Sequence, residues 1–370
     1  MNWQVSVQSR KNVPVILLCV PLLAAAWTRE SARPADKNTL RQYADKIGFQ
    51  VGAPIPGRIW NEDPQYRAIL AKEFNAAVSF TFMNLTQPEE GQFNFSGMDR
   101  DMAFAQEHHL KLFGDCLLYR CNTSPGWVCS PARRALGRTF GWSADRLDAV
   151  MKTQIQTVVR HGGDSYYAWE VADEPLSHNN PWEVVLGREE YLTRAFHYAH
   201  EANPHALLVL NETLGHQGVD KDRAAEFLQL VKKLKSAGAP IDAIGVEMHL
   251  EAPLRPGWLD EFRSFLAGAR QAGVQVLITE MDVYQGPAGA FSDPWANQKE
   301  IYAAALGACL ADSGCKGFYT WGISDAHTWL AQRQNHRLPD ARPLLFDERY
   351  GRKPAYFGVL DALKDQATHH

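Results

Sequence analysis

Apolar residues along the chain follow two alternating patterns. Short, nearly continuous apolar runs occupy 49–55 (FQVGAPI), 76–83 (AAVSFTFM), 110–118 (LKLFGDCLL) and 166–172 (YYAWEVA). They recur at 206–212 (ALLVLNE), 243–250 (AIGVEMHL), 274–283 (VQVLITEMDV) and 317–324 (GFYTWGIS). Such runs read as strands covered on both faces. Between them, apolar positions recur at helical spacing, for example over 144–160, 189–202, 223–237, 259–272 and 296–311. Eight strands in strict alternation with helices predict an α/β fold, a single (β/α)8 TIM barrel over residues 45–365. An open doubly wound sheet fits less well. No GxGxxG or GK[ST] signature follows any strand, so no nucleotide site is indicated.

The two ends read differently. Arg10 and Lys11 precede an apolar run at 13–26 that closes on Ala24 and Ala26, the layout of a secretory signal peptide over 1–26. The run is short and broken by proline for a membrane span, although an uncleaved anchor is the alternative. Residues 27–44 form a polar leader and 366–370 a tail. The expected location is secreted or periplasmic, with no membrane association once the signal is removed. Export makes disulfides possible. Cys121 and Cys129 bracket one short loop, and Cys309 and Cys315 bracket a helix-to-strand turn. Cys116 lies in an apolar run and reads as a buried thiol. A zinc site is the rival reading, but no CxxC or HxxxH spacing supports it, and no metal or other cofactor is expected.

Composition adds little. Hydrophobic content of 45% and charged content of 22% suit a globular protein, and the net charge of -4 argues against nucleic acid as a partner. Eleven Trp residues suit a core as well as they suit flat sugar rings.

In a barrel of this kind the chemistry gathers at the C-terminal ends of the strands. Those ends carry Asp115, Tyr119 and Arg120; Asp173 and Glu174; Asn211 and Glu212; Glu247 and His249; Glu280 and Asp282; and Trp321 and Asp325. Charged groups in apolar strands are costly unless paired, so single ones read as structural ion pairs. Their recurrence at most of the strand ends favours a working site instead. Glu174 and Glu280, from the fourth and seventh strands, can face each other across the barrel mouth. Glycoside cleavage needs two such carboxyl groups, one to protonate the leaving oxygen and one to attack or to activate water. Neither glutamate has a basic neighbour within its own segment.

The segments WEVADEPL, IGVEMHL, LITEMDV, GFYTWGISDAHTWL and PLLFDERYGRKPAYFGVL resemble family 10 glycoside hydrolases, the retaining endo-β-1,4-xylanases, over about residues 47–363. The resemblance implies Glu174 as acid/base, Glu280 as nucleophile and His249 as the residue that orients the nucleophile. It also implies that Trp321 and Trp329 wall the sugar cleft, where Trp329 alone would read equally as loop packing. Cys309–Cys315 matches a disulfide spacing of the family. The implied partner is a xylan-like polysaccharide or oligosaccharide, met by a monomer that needs no cofactor.

The departures fall on the glycone side. Residues 80–88 (FTFMNLTQP) lack the family's sugar-binding Lys. Asp115, Tyr119 and Arg120 stand where relatives carry His, Trp and His. Asp173 and Glu247 replace two amides. The substitutions make the pocket more acidic and point to two further readings: a different β-linked glycan, or a carbohydrate-binding barrel without catalysis.

Overall fold

The computed structural model describes residues 38–135, 140–177, 180–286, 292–332, 338 and 340–369. The stretch read as a signal peptide and most of the expected polar leader lie outside the described residues. Eight strands close into one parallel barrel in chain order: β1 (Gln50–Ile55), β2 (Ala76–Phe80), β3 (Lys111–Asp115), β4 (Tyr166–Asp173), β5 (Leu207–Thr213), β6 (Ala243–Glu251), β7 (Gln275–Tyr284) and β8 (Cys315–Thr320). β8 pairs back onto β1, so the expected TIM barrel is the observed one.

Helices between the strands begin where the sequence supplies a cap. Asp63, Ser143, Asp220 and Asp293 each accept hydrogen bonds from the first free backbone N–H groups of the helices that follow them. The helix Ala144–Gly162 buries Leu147, Met151, Ile155 and Val158 on one stripe, and its outer face stays polar. The barrel interior is filled by Ala76, Val78, Phe113, Ala168, Val209, Ala243, Leu277 and Tyr319. Close packing forbids side chains at some positions. A Cβ on Gly114 would stand 2.4 Å from the Trp169 ring, and one on Gly52 would stand 2.3 Å from Tyr319.

Four strands, β1, β2, β3 and β8, are shorter than their apolar runs, β3 by the most since it stops at Asp115. β2 stops at Phe80 because the chain turns at Phe82 into the short helix Met83–Thr86, and the Thr86 hydroxyl donates to the Phe82 carbonyl at 3.2 Å. β8 starts earlier, at Cys315, and ends at Thr320, just before Gly322 takes φ 132°. Trp321 therefore sits in the loop rather than in the strand. At the N-terminal side, the helix Leu40–Lys46 falls within the stretch read as a polar leader. Its polar composition is the outer face of an amphipathic helix whose Leu40, Tyr43 and Ala44 are buried. The last helix, Pro354–His369, likewise runs through the expected tail. Glu73 ties both ends to the barrel: it accepts from Leu40 N at 3.3 Å, from Tyr356 Oη at 2.7 Å and from Arg352 Nη2 at 2.7 Å. Among the described residues, no helix is long and apolar enough to cross a membrane.

The register of the strand ends decides which side chains meet. Asp173 pairs with Asn211, Glu247 with Glu280, and His249 with Asp282. Bulges interrupt the ladders between Glu170 and Ala172, between Val246 and Glu247, and between Ile278 and Met281. A bulge re-aims the side chains beside it. Here the bulges flank the acids.

Candidate active site

Glu174 is the first residue beyond β4 and has φ 43°, a left-handed conformation that a non-glycine residue adopts at a cost. Its N–H continues the ladder to the Asn211 carbonyl at 3.0 Å, and its own carbonyl accepts from Ser177 N at 3.0 Å. The turn is braced by Glu212, which accepts from Leu176 N at 2.8 Å and from Arg223 Nη2 at 2.6 Å. The Glu174 carboxylate forms an ion pair with Arg120 and accepts from the Ser177 hydroxyl at 3.2 Å. Arg120 Nη2 also donates to Ser177 Oγ at 2.8 Å, which closes a three-residue ring. The basic partner that Glu174 lacks in its own segment comes from the loop after β3.

Glu280, near the end of β7, is buried beside His249 from β6. His249 Nε2 lies 3.1 Å from Glu280 Oε2, and Nδ1 lies 3.1 Å from Asp282 Oδ2, off the line of a good hydrogen bond. Burial pulls the imidazole pKa down, but the charges and contacts of Asp282 and Glu280 outweigh it and push it up to about 10. At neutral pH the ring is therefore an imidazolium. Trp329 Nε1 donates to Asp282 Oδ2 at 2.6 Å, and its ring lies 4.9 Å from that of His249, centroid to centroid. Trp321 stands 6.3 Å away on another side and meets Phe80 edge to face. A cavity of about 520 Å³ opens here, lined by His249, Asp282 and Trp329 with Leu250, Tyr284 and Leu330. His216 and Glu251 also line it, so apolar and aromatic walls alternate with polar groups, a mixture that suits a sugar ring.

A set of acids surrounds Glu280. Asp115, Glu170, Asp173 and Glu247 are each at most 7% exposed. One amide serves three of the carboxyl groups: Asn211 Nδ2 lies 3.1 Å from Asp173 Oδ1, 3.3 Å from Glu247 Oε1 and 3.3 Å from Glu280 Oε1. The amide is held in turn by Thr279, whose hydroxyl donates to Asn211 Oδ1 at 2.7 Å. Among the described residues, Asp115 Oδ2 and Glu170 Oε1 have no hydrogen-bond partner. Burial first, and then the neighbouring carboxylates, raise the pKa values of Asp115, Glu170, Asp173 and Glu247 well above the ordinary carboxylate range. The acids behave as a coupled set that shares protons rather than as independent charges.

Among the described residues two groups have the spacing a cation could use: Asp115, Cys116 and Glu170, and Glu247, His249 and Glu280. In the second, the two ring nitrogens of His249 already face Glu280 and Asp282, each at 3.1 Å.

Most of the sequence-derived residues converge. Glu174, Glu280, His249, Asp173, Glu247, Asp115, Arg120, Trp321 and Trp329 all gather at the C-terminal mouth. Tyr119 lies beneath Arg120, whose guanidinium carbon is 5.2 Å from the ring centre. Burial and the charge of Asp173 hold its hydroxyl protonated. Asp325 belongs elsewhere: it pairs with buried Lys353 at 2.7 Å and accepts from Leu344 N at 2.8 Å. The pairs Cys121–Cys129 and Cys309–Cys315 form disulfides, and Cys116 is a free, buried thiol. Two participants, Ser177 and Glu170, escape a reading of strand ends, and a third, Asn211, stands at a strand end without a sign of its role. Ser177 lies past the turn, and the Asn211 amide carries no charge to mark it as a hub. Glu170 sits mid-strand, although an acid inside the apolar run YYAWEVA is itself a signal.

Comparison with known proteins bears on the family and the fold. The sequence profile of Glycosyl hydrolase family 10 matches residues 39–362. Endo-1,4-beta-xylanase A of Thermoanaerobacterium saccharolyticum is 31% identical over 85% of this chain, which spans only 27% of that protein's length. Endo-1,4-beta-xylanase 1 of Humicola insolens is 30% identical over 94% of this chain and 77% of its own. The crystal structure of xylanase 10B from Thermotoga petrophila RKU-1 in complex with xylobiose superposes with a TM-score of 0.79 at 27% identity, covering 89% of this chain and 98% of that one. With the family profile running from the first helix to the last, this chain belongs to glycosyl hydrolase family 10.

Proposed function

We propose that this protein is an exported, retaining hydrolase of β-linked glycans, built on the plan of the β-1,4-xylanases. One observation carries the reading: two carboxyl groups at the ends of different strands are held in unlike settings. Glu280 is flanked by an imidazolium and a shared amide, whereas Glu174 sits on a strained turn beside Arg120 and Ser177. Different surroundings are what a division into nucleophile and acid/base requires.

In the first step a Glu280 oxygen bonds to the anomeric carbon as the glycosidic C–O bond breaks, and the Glu174 proton goes to the leaving oxygen. The product is a glycosyl ester on Glu280. In the second step water attacks that carbon, Glu174 takes the water's proton, and Glu280 leaves as a carboxylate, with net retention. His249 holds Glu280 in place and supplies a positive neighbour. Arg120 suits the second step, in which Glu174 must be ionised to act as base; arrival of the leaving-group sugar has to loosen that pair before the first. Trp321 and Trp329 offer ring faces to the sugar. The disulfides support export, because such bonds persist in oxidising compartments.

Xylan-type β-1,4 chains are the first substrates to try, because the named relatives are xylanases and one similar structure holds xylobiose. A second reading, a different glycone, is favoured by the acids Asp115, Asp173 and Glu247. The test is NMR of the first-formed anomer across a panel of aryl β-glycosides, together with trapping by 2-fluoro glycosides. Retained configuration and a label on Glu280 support the proposal. Inverted product refutes it, and no label and no turnover across the panel favour a binding barrel.

A further inference from the structure

We infer that the sugar seated against Glu280 carries a free amine, so that Asp173, Glu247 and Asp115 together form a seat for a 2-amino-2-deoxy-β-glycoside. The inference rests on the hydrolase reading above and narrows it to a substrate class.

The first argument is a mismatch between charges and donors. Five carboxyl groups, those of Asp115, Glu170, Asp173, Glu247 and Glu280, lie in one buried group. The cations nearby are already engaged. His249 serves Glu280 and Asp282, Arg120 serves Glu174 and Ser177, and Arg223 serves Glu212. What remains is the Asn211 amide, whose two N–H groups face three carboxyl oxygens, and the protons the acids share among themselves. Left to themselves these acids hold on to protons, because buried charge without a counter-charge is costly, and a cationic group on the ligand is what would let them ionise.

The second argument is independent of the count. Asp115 is 3% exposed, and its Oδ2 has no hydrogen-bond partner among the described residues. Glu170, 1% exposed, leaves Oε1 in the same condition. Buried polar atoms in native proteins are nearly always satisfied, so two orphaned acceptors in one group point to a donor that arrives with the ligand. An ammonium brings three N–H donors and one positive charge; a sugar hydroxyl brings one donor and none.

Position selects which sugar carbon bears the amine. The nucleophile attacks C1, so the C2 substituent lies one bond away. Asp173 immediately precedes the acid/base, and Glu247 is the register partner of Glu280. These two acids are therefore the groups placed to meet a C2 substituent, which is also where contacts strengthen in the transition state. An acetylated amine offers a single N–H and no charge, and does not answer the mismatch.

The experiment compares kcat/KM for 4-nitrophenyl β-glucosaminide, β-glucoside, N-acetyl-β-glucosaminide and β-xyloside. Wild type, Asp173→Asn and Asp115→Asn are measured side by side. The amine is expected to exceed the glucoside by about tenfold or more, the size of one well-placed buried charge pair. Asp173→Asn should remove most of that preference, and Asp115→Asn should lower it if the first variant folds poorly. Turnover of neutral glycosides with no advantage for the amine overturns the seat and leaves the hydrolase reading intact. Absence of turnover with every glycoside defeats the hydrolase reading. Calorimetry on wild type then decides the seat alone. A β-1,4-glucosamine trimer should bind at least about tenfold tighter than xylotriose and lose that margin in Asp173→Asn; equal or weaker binding overturns the inference.

Discussion

Asn211→Ala tests whether one amide holds the acids together. The residue is fully buried, and its Nδ2 lies within 3.1–3.3 Å of Asp173, Glu247 and Glu280. Hydrogen bonds to charged groups contribute about 1.5–3 kcal/mol each, and two N–H groups can make two at full strength. Losing the acceptor of Thr279 Oγ1 adds about 1 kcal/mol. The variant should therefore lose about 4–7 kcal/mol where the acids are ionised, a large part of the 5–15 kcal/mol typical of a folded protein. The loss should shrink at low pH, because protonated Asp173 and Glu247 can donate to each other and need the amide less. Urea unfolding followed by tryptophan fluorescence at pH 5 and pH 8 gives both values. A loss below about 1 kcal/mol at both pH values, or an equal loss at the two, refutes the reasoning.

The wild type itself should lose stability as pH rises. Asp115, Glu170, Asp173 and Glu247 have raised folded-state pKa values, so the native protein binds more protons than the unfolded chain above about pH 4, and stability falls from there upward. Thermal melts from pH 5 to 9 check this, and Glu247→Gln should flatten the slope. Arg120→Met removes the positive partner of Glu174, so the alkaline limb of kcat/KM should move to higher pH; an unmoved limb shows that the ion pair does not act on the acid/base. Gly114→Ala should cost about 1–3 kcal/mol of stability by forcing a Cβ to within 2.4 Å of Trp169, with its effect on kcat following the folded fraction alone. A Gly114→Ala protein as stable as the wild type means that Trp169 has room to shift.

How much of this was legible in the chain depends on range. Strand existence and order follow from local apolar runs, and a parallel barrel buries each strand on both faces, so the runs are nearly continuous and easy to see. Their ends are less visible. Phe82 and Gly322 turn the chain inside runs that stay apolar, because the loop residues beyond them are also covered. Glu174, Glu280 and His249 could be picked out because charged groups at strand ends have few structural explanations. Arg120 was legible as a residue but not as the partner of Glu174, since that contact joins the loop after β3 to the turn after β4.

The acids show the same limit more sharply. That Asp173 and Glu247 are acids is written in the sequence; that they share one amide with the nucleophile is not. Asn211 is a bland polar residue until the register of β4, β5, β6 and β7 brings three carboxyl groups onto its single Nδ2. Charge balance is a property of the assembled set. A count of acids along the chain says that the pocket is negative, and only the contacts say that its cations are already taken. For that reason Asp173 is better understood through Asn211 and Asp115 than through its neighbour Glu174. A substitution there should be judged by what it does to the preference between charged and neutral sugars, since a rate on one substrate mixes that preference with the chemistry next door.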